Sequence, residues 1–247
     1  MGKIVAIGGG EIGRPGYPVE TTKIDKEIIR LSGKKRPRLL FIPTASDDAE
    51  GYVKSVEKHF GRRLGCKVDA LLLVKTQPSK KEIRDKIFGA DIIYVGGGNA
   101  LKMMNRWRQL GVDKLLKQAC RKNIVLAGLS AGAICWFRHG LSDSRKFKNK
   151  TADFIRVSGL GLINVLCCPH FGAETGRAKS LRALLEKGGI GIALGNCAAI
   201  QIDDSLFRII NSKTKSKAFK FFWQNGKYHK QIIAVGELLP LKELLMV

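Results

Sequence analysis

The sequence predicts an α/β protein on a doubly wound, mainly parallel sheet, with a strand-rich C-terminal part. Three observations predict it. Short apolar runs alternate with amphipathic stretches as far as residue 129. Several of those runs end in glycine-rich turns, at 8–10, 96–98 and 128–132. Beyond residue 160 the apolar runs shorten and come closer together, as strands do.

The 247 residues suffice for one large domain with a sizeable core. No linker, repeat or low-complexity segment divides them, so residues 1–247 read as a single domain. Residues 3–7 form the first strand, running into Gly8-Gly9-Gly10. With Gly13 these glycines satisfy G-x-G-x-x-G, but Pro15, Gly16 and Pro18 prevent the helix that a dinucleotide site requires. The glycines are expected instead to let a loop run close to an active site.

Thr21-Thr22 cap a helix through Leu31, and Arg38–Ile42 is the second strand. A polar loop, Thr44 to Asp48, leads into a helix reaching about Leu64. On that helix His59 reads as an ordinary surface or helix-face histidine. Val68–Val74 is the third strand. Ser79, with Glu82 three residues on, forms a capping box for a helix through Ile87. Asp91–Val95 is the fourth strand, and Gly96-Gly97-Gly98-Asn99 opens a helix from Ala100 to Arg108. Another helix covers Val112–Lys122.

The run Ile124–Ala127 is a buried strand followed by Gly128-Leu129-Ser130-Ala131-Gly132. G-x-S-x-G suits a sharp strand-to-helix turn that lifts a serine oxygen toward a substrate. The amide of Ala131 then lies at a helix N-terminus, where an oxyanion is favoured. The turn at Gly98 is a natural second donor. His139 is expected to end the helix behind Ser130 and to face away. Strands follow at 162–168, 190–194, 198–202, 207–210, 218–222 and 232–235, with a helix at 175–187 and a hairpin turn at Asn225-Gly226.

A nucleophilic serine needs a base and an orienting acid. His170 directly follows an apolar strand and is the best-placed base. For the acid, Asp143 in the loop Leu141–Ser144 competes with Asp153 and Glu174, and Glu174 could instead contact a substrate amine. Arg177 opens a helix just past His170 and is expected to bind an anionic substrate group at the cleft's rim.

The formal charge is +23, from 44 basic and 21 acidic residues. A nucleic-acid or acidic-polymer partner is therefore the main rival to an enzyme. The lysines, however, are dispersed and not interleaved with aromatics. No apolar run approaches the ~20 residues that span a membrane. The N-terminus does not read as a signal peptide. A cytoplasmic protein is expected, with its six cysteines reduced. They lack zinc-ligand spacing, and no metal or organic cofactor is expected.

The motifs IVAIGGGE at 4–11, LLFIPTAS at 39–46, YVGGGN at 94–99, GLSAGAICWF at 128–137, SDS at 142–144 and PHF at 169–171 together resemble the S51 family of serine peptidases. That family includes aspartyl dipeptidase (peptidase E) and cyanophycinase. The resemblance implies a class I glutamine amidotransferase-like (flavodoxin-like) fold and a Ser–His–acid triad of Ser130, His170 and Asp143. It implies oxyanion donors near Gly98 and Ala131, and it places Arg177 where peptidase E carries an arginine suited to an acidic side chain. Asn99 and Glu174 are expected as further substrate contacts from their positions. A family acidic residue near a later strand start appears here as Gly195-Asn196. The expected activity is exopeptidase cleavage of short peptides, with Asp-X dipeptides as candidates, and a homodimer remains open. A second enzyme alternative is an esterase of α/β-hydrolase type, which shares the order Ser…Asp…His.

Overall fold

A computed structural model describes residues 2–247. The first half alternates as the sequence suggests: β1 (Lys3–Ile7), α1 (Thr22–Leu31), β2 (Arg38–Ile42), α2 (Glu50–Val56), β3 (Lys67–Ala70), α3 (Lys80–Gly89), β4 (Ile92–Val95), α4 (Ala100–Leu110), α5 (Val112–Arg121) and β5 (Val125–Leu129). These strands pair in parallel in the order β1-β5-β4-β2-β3. Alternate side chains of β1 enter different cores. Ile4 and Ala6 join one cluster, and Val5 and Ile7 join another with Ile24, Ile28 and Phe60. Burial on both faces is why these strands are continuous apolar runs.

After β5 come α6 (Ala131–Ile134), β6 (Phe137–Ser142), β7 (Ile155–Ser158), β8 (Ile163–Pro169), α7 (Arg177–Leu185) and β9 (Ile190–Leu194). The chain ends with β10 (Ala198–Asp203), β11 (Leu206–Asn211), β12 (Ala218–Gln224), β13 (Lys227–Ile233), β14 (Leu239–Pro240) and α8 (Leu241–Leu245). β10, β11 and β14 extend the first sheet to eight strands, with β10 antiparallel to β1. The others build a second, six-stranded sheet in the order β13-β12-β9-β8-β6-β7. One core cluster includes residues of both sheets: Ile4 and Ala6 from the first, Cys167 and Ile192 from the second. α7 covers the second sheet's other face through Leu181 and Leu185.

Several local expectations change. Ser79 does cap α3, accepting the Glu82 amide at 3.1 Å. Thr21 instead spends its hydroxyl on Asp25, at 2.8 Å. His59 is a core residue, 2 % exposed, with Nε2 2.8 Å from Asp25 Oδ2. It lies on a π-helical segment, Glu57–Arg63, that continues α2. β3 ends at Ala70 because Asp48 Oδ2 accepts the amides of Val74 (2.6 Å) and Lys75 (3.0 Å), holding that segment off the sheet. α6 is a single turn, so His139 lies on strand β6 and does not end a helix. The sequence does not mark the second sheet as separate. Its strands look like the first sheet's in composition, and only pairing distinguishes them.

Among the described residues no helix is long and apolar enough to cross a membrane. The cysteines are buried and none forms a disulfide.

Candidate active site

Ser130 follows β5 directly, at φ 58° and ψ −107°. A non-glycine residue in this region stores about 1–3 kcal/mol of strain, so its surroundings must hold it. Its amide donates to Ile7 O (3.0 Å), and its carbonyl accepts the amides of Ala133 (2.9 Å) and Ile134 (3.0 Å). The flanking glycines allow this closeness. A Cβ on Gly128 would overlap the Gly132 carbonyl, and a Cβ on Gly132 would overlap the Val95 carbonyl.

His170 comes from the end of β8, in the second sheet. Its Nε2 lies 2.5 Å from Ser130 Oγ. Its Nδ1 lies 2.9 Å from Asn196 Oδ1. With Nδ1 protonated, the ring donates to Asn196 and accepts the serine hydroxyl proton at Nε2. β8 and β9 are parallel neighbours with Pro169 opposite Leu194, so His170 and Asn196 leave adjacent strand ends. Gly9 closes the back of this pair. A Cβ there would overlap both Asn196 Oδ1 and His170 Nδ1. The first glycine loop therefore does run against the site, as its lack of a helix suggested. Burial, chiefly, holds the His170 ring below the usual histidine range. The Asn196 hydrogen bond opposes this, the Arg177 charge adds to it, and the charges of Glu174 and Asp143 oppose it.

The sequence-predicted residues divide. Ser130 and His170 meet. Asp143 does not orient the ring: the Nδ1 partner is Asn196, and Asp143 acts on His170 through charge alone. The reason is topological. The segment after the elbow is one helical turn and then β6, so the loop at 142–144 does not return to His170 but packs on α4. There Ser144 Oγ accepts the Leu101 amide, and Ser144 O accepts Asn99 Nδ2, both at 3.0 Å. Asn99 is accordingly a cap, its Oδ1 accepting the Lys102 amide at 3.0 Å. Arg177 is not at the rim. It is 1 % exposed, bonded through Nε to Glu174 (2.9 Å) and through Nη1 to Leu141 O (3.2 Å), and it lies over Phe154. Glu174 is thereby committed to Arg177.

Gly98, at φ 135°, presses against the Ala45 carbonyl, where no Cβ would fit. Neither its amide nor that of Ala131 has an acceptor among the described residues. Both are free to donate to an oxyanion. The adjacent Gly97 amide donates to Tyr52 Oη at 3.2 Å. Burial pushes the Tyr52 phenol up to about 12, so it remains a neutral hydroxyl. Gly97, Gly98 and Tyr52 line a cavity of about 540 Å³ together with Ser130, His170, Glu11 and Arg14. Arg14 is the one arginine or lysine on its wall and is paired with Glu11 at 2.6 Å. No cluster of three His, Cys, Asp or Glu side chains suited to a metal occurs among the described residues.

Tyr52, Arg14 and Asn196 were not singled out as site residues from the sequence. Tyr52 lies on a helix of ordinary appearance, and Arg14 in a proline-broken loop. Asn196 did carry a signal, since it stands where the resembling family has an acid.

The site thus brings together a strained serine after a parallel strand, a histidine in contact with its hydroxyl and two unbonded amides at strand ends, on a mixed α/β fold. Residues 4–210 match peptidase family S51, and the chain belongs to that family. It is 32% identical over 225 residues to the uncharacterized peptidase YgaJ of Bacillus subtilis (strain 168), covering 89% of this chain and 92% of that protein. It is 30% identical over 147 residues to the uncharacterized peptidase Lmo0363 of Listeria monocytogenes, covering 57% and 67%. The fold resembles the crystal structure of a peptidase from an acI-B1 Actinobacterium, with a TM-score of 0.68, 20% identity and 97% of each chain covered. Membership of this family sets aside the α/β-hydrolase esterase alternative.

Proposed function

We propose that this chain is a serine-type exopeptidase that hydrolyses short peptides through an acyl-enzyme. The observation that supports it is the continuous chain Ser130–His170–Asn196, beside the free amides of Gly98 and Ala131. Ser130 Oγ attacks the scissile carbonyl while His170 Nε2 takes its proton. The two amides hold the tetrahedral oxyanion. Collapse breaks the C–N bond, and His170 returns the proton to the departing amine. A water molecule then gives its proton to His170 and its oxygen to the acyl carbon, and Ser130 regains its proton as the acid leaves. Asn196 keeps the ring in the tautomer whose Nε2 is basic.

A cavity of about 540 Å³ suits a substrate of a few residues. Asp-X dipeptides are worth testing first because Arg14 lines that cavity. The experiment is a dipeptide library of Asp-X, Glu-X and basic members, with fluorophosphonate labelling of wild type and Ser130→Ala. Hydrolysis and labelling that both require Ser130 are expected. Labelling unchanged in Ser130→Ala would overturn the reading.

A further inference from the structure

His170 stands between two cavities. Its Nε2 edge faces Ser130 in the cleft described above. Asn196, on its other edge, lines a second cavity of about 550 Å³ with Phe171, Lys213, Lys215, Lys217 and Lys230. The charge on that wall is one-sided. Glu20 is its one carboxylate and is already bonded to Lys213. Lys215 and Lys217 have no ion-pair partner among the described residues. Lys230 is held over Phe219 (4.4 Å) and Phe171 (5.5 Å) by cation–π contact. The Lys217 carbonyl accepts the Gly195 amide at 3.0 Å, which ties the lysine segment to the turn carrying Asn196. Ammonium groups gathered round a small cavity repel one another, and an anion among them relieves that repulsion.

The other half of the argument is the catalytic chain itself. Its third member is an uncharged amide. The carboxylates acting on His170 are Asp143, which does not touch it, and Glu174, which Arg177 neutralises. Asn196 uses Oδ1 for His170, while its Nδ2 has no partner among the described residues. An anion bonded to Nδ2 would polarise the amide and increase the negative charge on Oδ1.

We propose that the second cavity binds an oxyanion-bearing group, a carboxylate or phosphate, and that this anion reaches His170 through Asn196 to supply the negative charge the catalytic chain lacks. This rests on the Ser130–His170 reading. The group could be carried by an acidic extension of the peptide substrate or be a free polyanion.

The test uses the full chain and two probes, inorganic tripolyphosphate and tetra-aspartate, at ionic strength matched with chloride. Calorimetry measures binding to wild type and to Lys215→Ala/Lys217→Ala/Lys230→Ala, whose three exposed side chains can be removed without disturbing the core. NMR follows the His170 ring titration with and without probe. Expected are one bound anion per chain, binding at least about tenfold weaker in the triple variant, and a His170 midpoint that moves upward on binding. Success with tetra-aspartate alone assigns the site to the substrate, and success with tripolyphosphate assigns it to a free effector. The proposal is overturned by no binding of either probe, by equal binding to the triple variant, or by binding that leaves the His170 midpoint unmoved. None of these readouts needs turnover, so a failure here is separable from a failure of the peptidase reading.

Discussion

The Nδ1 of His170 lies 2.9 Å from the side-chain oxygen of Asn196, an acceptor with no charge. In a Ser–His–Asp arrangement the carboxylate both fixes the tautomer and stabilises the imidazolium. Asn196 can do only the first. Asn196→Ala should lower kcat/KM at least about tenfold through loss of that hydrogen bond. Asn196→Asp should favour the charged ring and shift the acid limb of the kcat/KM–pH profile upward. In the wild type that limb should lie below the ordinary histidine range, because burial disfavours the imidazolium and the base form persists to lower pH. Asp143→Asn should change kcat/KM by less than about threefold, since Asp143 acts only at a distance. A loss in Asp143→Asn larger than in Asn196→Ala would reverse the assignment.

Gly9 is the second test of the same geometry. Its missing side chain is the space the His170–Asn196 pair occupies. Gly9→Ala should cost about 1–3 kcal/mol of stability as overpacking and leave a folded protein. Turnover should nevertheless fall by more than about a hundredfold, because the ring must move away from Ser130. Circular dichroism beside a peptidase assay separates the two effects.

Arg177 should behave as a structural residue. Its guanidinium is buried and shared between Glu174, Leu141 O and Phe154. Arg177→Met should lower the unfolding free energy by about 1–3 kcal/mol, because the buried guanidinium's hydrogen bonds are lost while Glu174, 38 % exposed, can turn to solvent. Rates on Asp-Leu and Ala-Leu per folded molecule should change in equal proportion. A loss confined to Asp-Leu would return Arg177 to the specificity pocket.

Asp25 and His59 form a second buried pair, both at most 2 % exposed. Burial raises the Asp25 carboxyl above its ordinary value, and the His59 hydrogen bond works against that rise. Asp25→Ala leaves His59 without this partner and should cost about 3–5 kcal/mol in denaturant unfolding. The folded fraction should keep its peptidase activity, because neither residue lines the cleft.

What the sequence made legible was local. The strands β1, β2, β4 and β5 are unbroken apolar runs, Ser79 announces α3, and the glycines around Ser130 announce the elbow. What it hid was set by pairing. Asn196 reaches His170 only because β8 and β9 lie side by side in register. Asp25 reaches His59 across 34 residues, and a histidine among lysines and arginines looks solvated until the packing of α1 is known. The loop at Asp143 misleads because the apolar run behind Ser130 suits a long helix, whereas it folds as one helical turn and then a strand. Arg177 misled because a charge at a helix start is usually exposed, and here its partners lie inward.

The catalytic chain joins one residue from the first sheet to two from the second, with Gly9 from β1's end closing the back. Asn196 is the last of these to leave the ribosome. Until the ribosome has passed that point and β9 has seated against β8, no emerging chain can hold its histidine in place. On the proposed mechanism, hydrolytic competence therefore waits until the second sheet's β8–β9 pair is in place. A half-made or partly opened molecule is, on that mechanism, inert towards the peptides around it.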